Sequence, residues 1–160
     1  MPNKKNVFIS HVHEDDELVP KLKDLIANAG MEVRDGSITS DKPNEAQSEE
    51  YIKREILEPR IQWASTLVVL ITHDTADSWW VNWEIKRAVE LGKNVVGVYA
   101  QGATDADIPE ELQKCGDAAI VGWQGDRVVA AINGEIHDWD NPVSGQPRNQ
   151  EWLIKRYRCR

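Results

Sequence analysis

The sequence predicts an α/β fold, a doubly wound five-stranded parallel sheet in the order 2-1-3-4-5. Short apolar runs alternate with helix-spaced patterns along most of the chain. The strongest run, Thr66 to Thr72, is apolar at every inner position, as a central strand covered on both faces must be. The chain has 160 residues, of which 41% are hydrophobic, enough for a single core of ordinary size.

Each element has its own signal. Asn6 to Ser10 reads as a buried strand. Leu18, Leu22, Leu25 and Ile26 follow at helical spacing, and Gly30 supplies a stop. Met31 to Arg34 is a short second strand. Asp35 to Gln47 is polar, contains Gly36 and Pro43, and reads as a long loop. Ser48 begins a second helix with Tyr51, Ile52, Ile56 and Leu57 on its apolar side, and Pro59 sits at its end. After the third strand, Ser78 caps a helix that runs to Leu91 and ends at Gly92. Asn94 to Tyr99 is the fourth strand. Pro109 to Lys114 reads as a short helix and Ala118 to Val121 as a weaker fifth strand. Asp126 to Asn133 is the last helix, with Val128, Val129 and Ile132 inward. The pattern breaks at Gly134. The expected organisation is therefore a domain over residues 1–134 and an extension over 135–160, irregular and then basic, with Trp152, Leu153 and Tyr157.

Composition removes several function classes. The formal net charge is −8 and the pI about 5.0, which disfavours general binding to nucleic acid. The longest apolar run, Leu67 to Ile71, is too short to span a bilayer, and the N-terminus lacks the apolar core of a signal peptide. Two cysteines, Cys115 and Cys159, make neither a disulfide framework nor a zinc knuckle. The expectation is a cytoplasmic protein without nucleic-acid or membrane partners. Glycine-rich phosphate fingerprints are absent, which argues against a dinucleotide cofactor domain or a nucleotide triphosphatase. A phospho-accepting receiver wants an aspartate ending the third strand, where this chain has Thr72 and His73. His11, His13 and Asp15 have metallohydrolase spacing, but only His73 and His137 remain as further histidines. No metal is expected. The plainer reading of Glu14 to Glu17 is a solvated acidic helix start.

In a parallel sheet of this order, function belongs in the loops after the strands. These loops carry Ser10 to Asp16, then Asp35 to Ser37, then Thr72 to Asp74 and the helix start from Ser78 to Glu84. Trp80 and Glu84 are one turn apart on one helix face, an aromatic surface beside a carboxylate. Ser78, Trp80 and Glu84 resemble the serine-tryptophan-glutamate signature that opens the third helix of TIR domains, with Val81 in place of the usual cysteine. Phe8 to His11 resembles their first box, and Asp35-Gly36 begins what would be their BB loop. The combination of Phe8 to His11, Glu50 to Arg54 and Trp80 to Glu84 is similar in particular to the TIR-like family of bacterial Thoeris antiphage systems. This likeness covers about residues 4 to 134 and implies a flavodoxin-like fold.

The resemblance implies an enzyme that cleaves NAD between nicotinamide and ribose, with NAD as substrate and no separate cofactor. Nicotinamide in NAD is a pyridinium and leaves neutral, so no general acid is needed, unlike O-glycoside cleavage. On this reading Glu84 is catalytic and meets an oxocarbenium-like transition state with its charge. Trp80 stacks on the leaving ring or flanks the ribose. Ser10 and His11 hold phosphate or ribose oxygens, and Asp35 and Ser37 close the pocket from the second loop. The Thoeris likeness further implies a cyclic ADP-ribose product that reaches a separate effector by diffusion, and a homo-oligomer built through TIR contacts. The alternative is a non-catalytic TIR-like module that self-associates. Residue by residue, the plain alternative makes the tryptophans core or interface anchors and Glu84 a solvated helix carboxylate.

Overall fold

The structure is a computed structural model, described here over residues 3–35, 57–115 and 118–142. Five strands form one parallel sheet: β1 (Asn3–Ser10), β2 (Met31–Asp35), β3 (Thr66–Ile71), β4 (Asn94–Tyr99) and β5 (Ala119–Val121). Their order is β2-β1-β3-β4-β5, as the sequence pattern predicts. The helices between them are α1 (Leu18–Asn28), α2 (Glu58–Trp63), α3 (Trp79–Glu90), α4 (Glu110–Gln113) and α5 (Gly125–Ile132).

The period-2 alternation of the strands sorts the core into two layers. Val7, Ile9, Val68, Leu70, Val96 and Val98 point to one face, where Leu22 and Ile26 of α1 and Val128 and Ile132 of α5 cover them. Phe8, Leu67, Val69, Ile71 and Tyr99 point to the other, under Ile61 of α2, Ile85 of α3 and Leu112 of α4. β3 is buried at all six positions, which explains why its sequence shows no polar alternation. Ser10 continues the series of Phe8 and so belongs to the α3 face. Asp35 continues Met31 and Val33 and belongs to the α1 face.

Several elements differ from the sequence reading. β1 begins three residues earlier, at Asn3. Pro59 occupies the first turn of α2, where a missing N–H costs no hydrogen bond. Residues past Gly134 still belong to the packed body. Trp139 forms a parallel bridge with Ile120 beside β5 and is buried. Asp140, fully buried, receives hydrogen bonds from Arg127 Nε and the Gly122 amide, each at 3.2 Å. A lone bridge carries no alternation that a sequence pattern can reveal. The helix expected from Ser48 falls outside the described residues up to residue 56, as do the loop at 36–47 and the basic segment at 151–160.

Two glycines answer to geometry. Gly92 ends α3 with φ of 73°, a left-handed conformation that a side chain resists. Gly125 starts α5 against α1 so closely that a Cβ would lie 2.8 Å from the Leu25 carbonyl oxygen. Backbone cannot yield as a side-chain tip can. Gly125→Ala is therefore expected to destabilise the protein by about 1–3 kcal/mol, read as a lower urea midpoint with unchanged slope. An unchanged midpoint would show that α1 and α5 part without cost.

Candidate active site

α3 carries the central residues, and its start is fixed locally. Ser78 lies just outside the helix and its hydroxyl accepts a hydrogen bond from the Val81 amide at 3.3 Å. Asn82 braces the same turn, donating to the carbonyls of Ala76 and Ser78 and accepting from the Glu111 amide. The buried stripe of the helix is Val81, Glu84, Ile85 and Ala88. Glu84 thus occupies a sheet-facing position that would ordinarily be apolar, and it is 0% exposed.

A carboxylate there needs a donor. Ser10, at the carboxyl end of β1 and on the same face, supplies it: its Oγ donates to Glu84 Oε1 at 2.7 Å with both residues fully buried. Glu84 is therefore not the solvated helix carboxylate of the alternative reading. Trp80, one turn earlier, is half-buried against the core and meets Trp79 edge-on, with ring centroids 5.7 Å apart and planes at 67°. Both tryptophans line an open cleft of about 350 Å³ together with Glu14, Asp74 and Asp77. Glu84 is fully buried and is not part of this lining. A larger cavity of about 510 Å³, walled by Leu25 and Trp123, opens on the α1 face of the sheet, away from Glu84.

The other sequence-predicted residues are distributed differently. His11 follows Ser10 but is 0% exposed, and its ring nitrogens face protein acceptors. Nδ1 is 2.9 Å from the Ile9 carbonyl oxygen and Nε2 is 2.7 Å from Asp16 Oδ1. Asp35 ends β2 on the opposite face of the sheet, with a carboxylate oxygen 3.5 Å from Lys23 Nζ of α1. It pairs in register with Val7, three residues short of Ser10. The structure joins Ser10 to Glu84, with Trp80 one turn earlier on α3, and leaves Asp35 apart; Ser37 lies outside the described residues. So does the side chain of His13, the other half of the histidine pair.

The acidic stretch after β1 is not simply a solvated helix start. Asp15 is buried and accepts a short hydrogen bond from Thr72 Oγ1 at the end of β3. Thr75 continues the chain: its Oγ1 accepts from the Thr72 amide at 2.9 Å and donates to the Leu70 carbonyl at 3.1 Å. Burial raises the pKa of Asp15, and the nearby charges of Asp74 and Glu14 add to the rise; the Thr72 bond and His11 oppose it. Sequence reasoning missed Asp15, Asp16, Thr72 and Thr75. The available signal was Thr72-x-x-Thr75 directly after a buried strand, a spacing that lets one hydroxyl turn back on the backbone.

A parallel sheet of this order with a buried carboxylate and an aromatic wall at its strand ends defines an α/β domain with a cleft at the carboxyl edge. The particular family follows from the sequence: the profile described as Thoeris protein ThsB, TIR-like domain, matches residues 8–105, and the chain belongs to that family. Similar folds include the Clostridium botulinum CMP N-glycosidase BcmB. It is 14% identical, with a TM-score of 0.48 over 81% of this chain and 98% of that one. The TIR domains of the activated Roq1 resistosome recognizing the effector XopQ are 17% identical, with a TM-score of 0.46 over 94% and 95%. No curated protein matches the sequence significantly.

The raised pKa of Asp15 makes a stability prediction with a definite sign. Ionisation costs more in the folded than in the unfolded chain, so the residue withdraws stability as pH rises from its ordinary value of 3.8 through its raised folded value. Asn keeps the acceptor for Thr72 and has no charge. Asp15→Asn should therefore gain thermal stability relative to wild type progressively across that window, in melts taken from acid to neutral pH. A difference in Tm that is constant with pH would remove the burial argument.

Proposed function

We propose that this TIR-like chain cleaves NAD at the bond between nicotinamide and ribose, with Glu84 as the catalytic carboxylate. The observation that carries the reading is the Ser10–Glu84 hydrogen bond of 2.7 Å at the carboxyl edge of the sheet, on the helix whose first turn lines the cleft with Trp80. The C1′–N bond breaks and its electron pair neutralises the pyridinium nitrogen, so nicotinamide departs without a proton donor. Glu84 balances the oxocarbenium charge left on the ribose. Its burial strengthens that attraction, because little water screens it.

The cleft's electrostatics suit the same orientation. Glu14, Asp74 and Asp77 repel a diphosphate and attract the cationic pyridinium end, which Trp79 and Trp80 can also hold by cation–π contact. Attack by water gives ADP-ribose and a proton. Attack by a second nucleophile of the same molecule gives a cyclic isomer. Family membership favours the cyclic signal, a diffusible link to a separate effector in antiphage defence, assembly into a homo-oligomer and a cytoplasmic site of action. No helix among the described residues is long and apolar enough to cross a membrane.

One observation favours a second reading. Glu84 is 0% exposed, as a fastener of β1 to α3 would be in a non-catalytic module that self-associates. The two readings separate on Glu84→Gln, which keeps an acceptor for Ser10 and loses the charge. Nicotinamide release by assembled or triggered protein should fall by about a hundredfold or more, on the order of 3 kcal/mol, at matched thermal stability. Equal rates would take Glu84 out of the mechanism. A folded wild type that releases no nicotinamide in any assembled or triggered state would leave the interaction module.

A further inference from the structure

We propose that His11 is a positioning residue, which with Asp16 staples the loop after β1 so that the Ser10 hydroxyl is aimed at Glu84. The proposal rests on the reading of Glu84 as the catalytic carboxylate. It gives His11 a role other than contact with substrate.

The geometry supports this on three counts. First, both nitrogens of the buried His11 ring already face protein acceptors, so neither is left to hold a substrate oxygen. Second, its two nitrogens reach backwards and forwards along the chain, to the Ile9 carbonyl at 2.9 Å and to Asp16 Oδ1 at 2.7 Å. One ring thereby fixes the last residues of β1 relative to a point five residues on. Ser10 lies between the two ring-bound points, Ile9 and His11, so its backbone is held where Oγ reaches Glu84. Third, the loop is pinned independently on its other side, where Thr72 Oγ1 donates to Asp15 Oδ2. With one pin on β1 and one on β3, the loop holds one placement across the carboxyl edge. A hydrogen bond aimed within a few tenths of an ångström at a reacting carboxylate needs such support, and small misplacements cost rate rather than affinity.

The test compares wild type, His11→Asn, Asp16→Ala, Ser10→Ala and the Ser10→Ala/His11→Asn double variant. Asp16 has a side chain 18% exposed against 0% for His11, so Asp16→Ala is the milder break of the staple and stands in if His11→Asn does not fold. Nicotinamide release from NAD should show kcat reduced on the order of tenfold or more in His11→Asn and Asp16→Ala, with KM within about twofold of wild type. The double variant should be no slower than Ser10→Ala, because His11 acts through Ser10. A raised KM with kcat retained, or losses that multiply in the double variant, would overturn the proposal and return His11 to the substrate. A wild type that releases no nicotinamide would fail the proposed activity instead. The staple is then decided by the carbon-13 resonance of the Glu84 carboxyl. Asp16→Ala should move it in the same direction as Ser10→Ala does, and an unmoved resonance would overturn the proposal.

Discussion

A carboxylate in the apolar stripe of a helix is the constraint on which the edge of this sheet depends. Glu84 sits between Val81 and Ile85 and Ala88, all buried against β1 and β3. Leaving its charge unbonded there would cost several kcal/mol, a large part of a small domain's net stability. The Ser10 hydroxyl offsets that cost only if β1 ends where it does and α3 is rotated as it is. The Ser78 cap, the Asn82 brace and the terminating Gly92 fix that rotation from both ends of the helix. The surrounding structure is thus arranged around a hydrogen bond between residues 74 apart in sequence.

The same edge concentrates negative charge. Glu14, Asp15, Asp16, Asp74 and Asp77 gather on the two loops and the helix start beside Glu84. The fold accommodates the inner members by bonding: Asp15 to Thr72, Asp16 to His11. The outer members stay at the cleft. Elsewhere among the described residues some carboxylates are matched with cations. Arg87 grips Glu58 with Nε at 2.7 and 2.8 Å from its two oxygens and holds that carboxyl below its usual pKa. Asp138 and Asp140 share Arg127. The contrast gives the strand-end cleft a distinct character, an aromatic surface rimmed by acid and complementary to a cation.

Much of this is legible in the sequence, for reasons that can be stated. The continuous apolar run at Thr66 to Ile71 marks a strand with two covered faces, and the strand order follows from alternation with helices. Ser78 is a readable cap, and the one-turn spacing of Trp80 and Glu84 places both on one side of α3. The contacts of Asp15, Asp16 and His11 are not legible, because polar loop bonds have no period and depend on which strands become neighbours. The docking of Trp139 and Asp140 beside β5 is hidden for the same reason, since a single bridge shows no alternation. Asp35 is a different case. Its face follows from the parity of Met31 and Val33, and the order of residues along β2 is enough to work that parity out.

Parity, carried to the end of each strand, decides what can join Glu84. On β1, Phe8 and Ser10 face α3 while Val7 and Ile9 face α1. A hydroxyl one position earlier or later would point across the sheet, away from the carboxylate. On β2 the same rule sends Asp35 towards Lys23, onto the far side. The chemistry at Glu84 is therefore composed by β1, by the loop stapled behind it and by the first turns of α3, with β3 serving as the anchor through Thr72. Burial completes the design and limits it. It removes the water that would weaken attraction between Glu84 and a positive charge, yet it also leaves the carboxylate without exposed surface. The backbone near Glu84 is bonded at the cap, at the brace and through the loop. The carboxylate is therefore held in a preorganised frame rather than on a free loop.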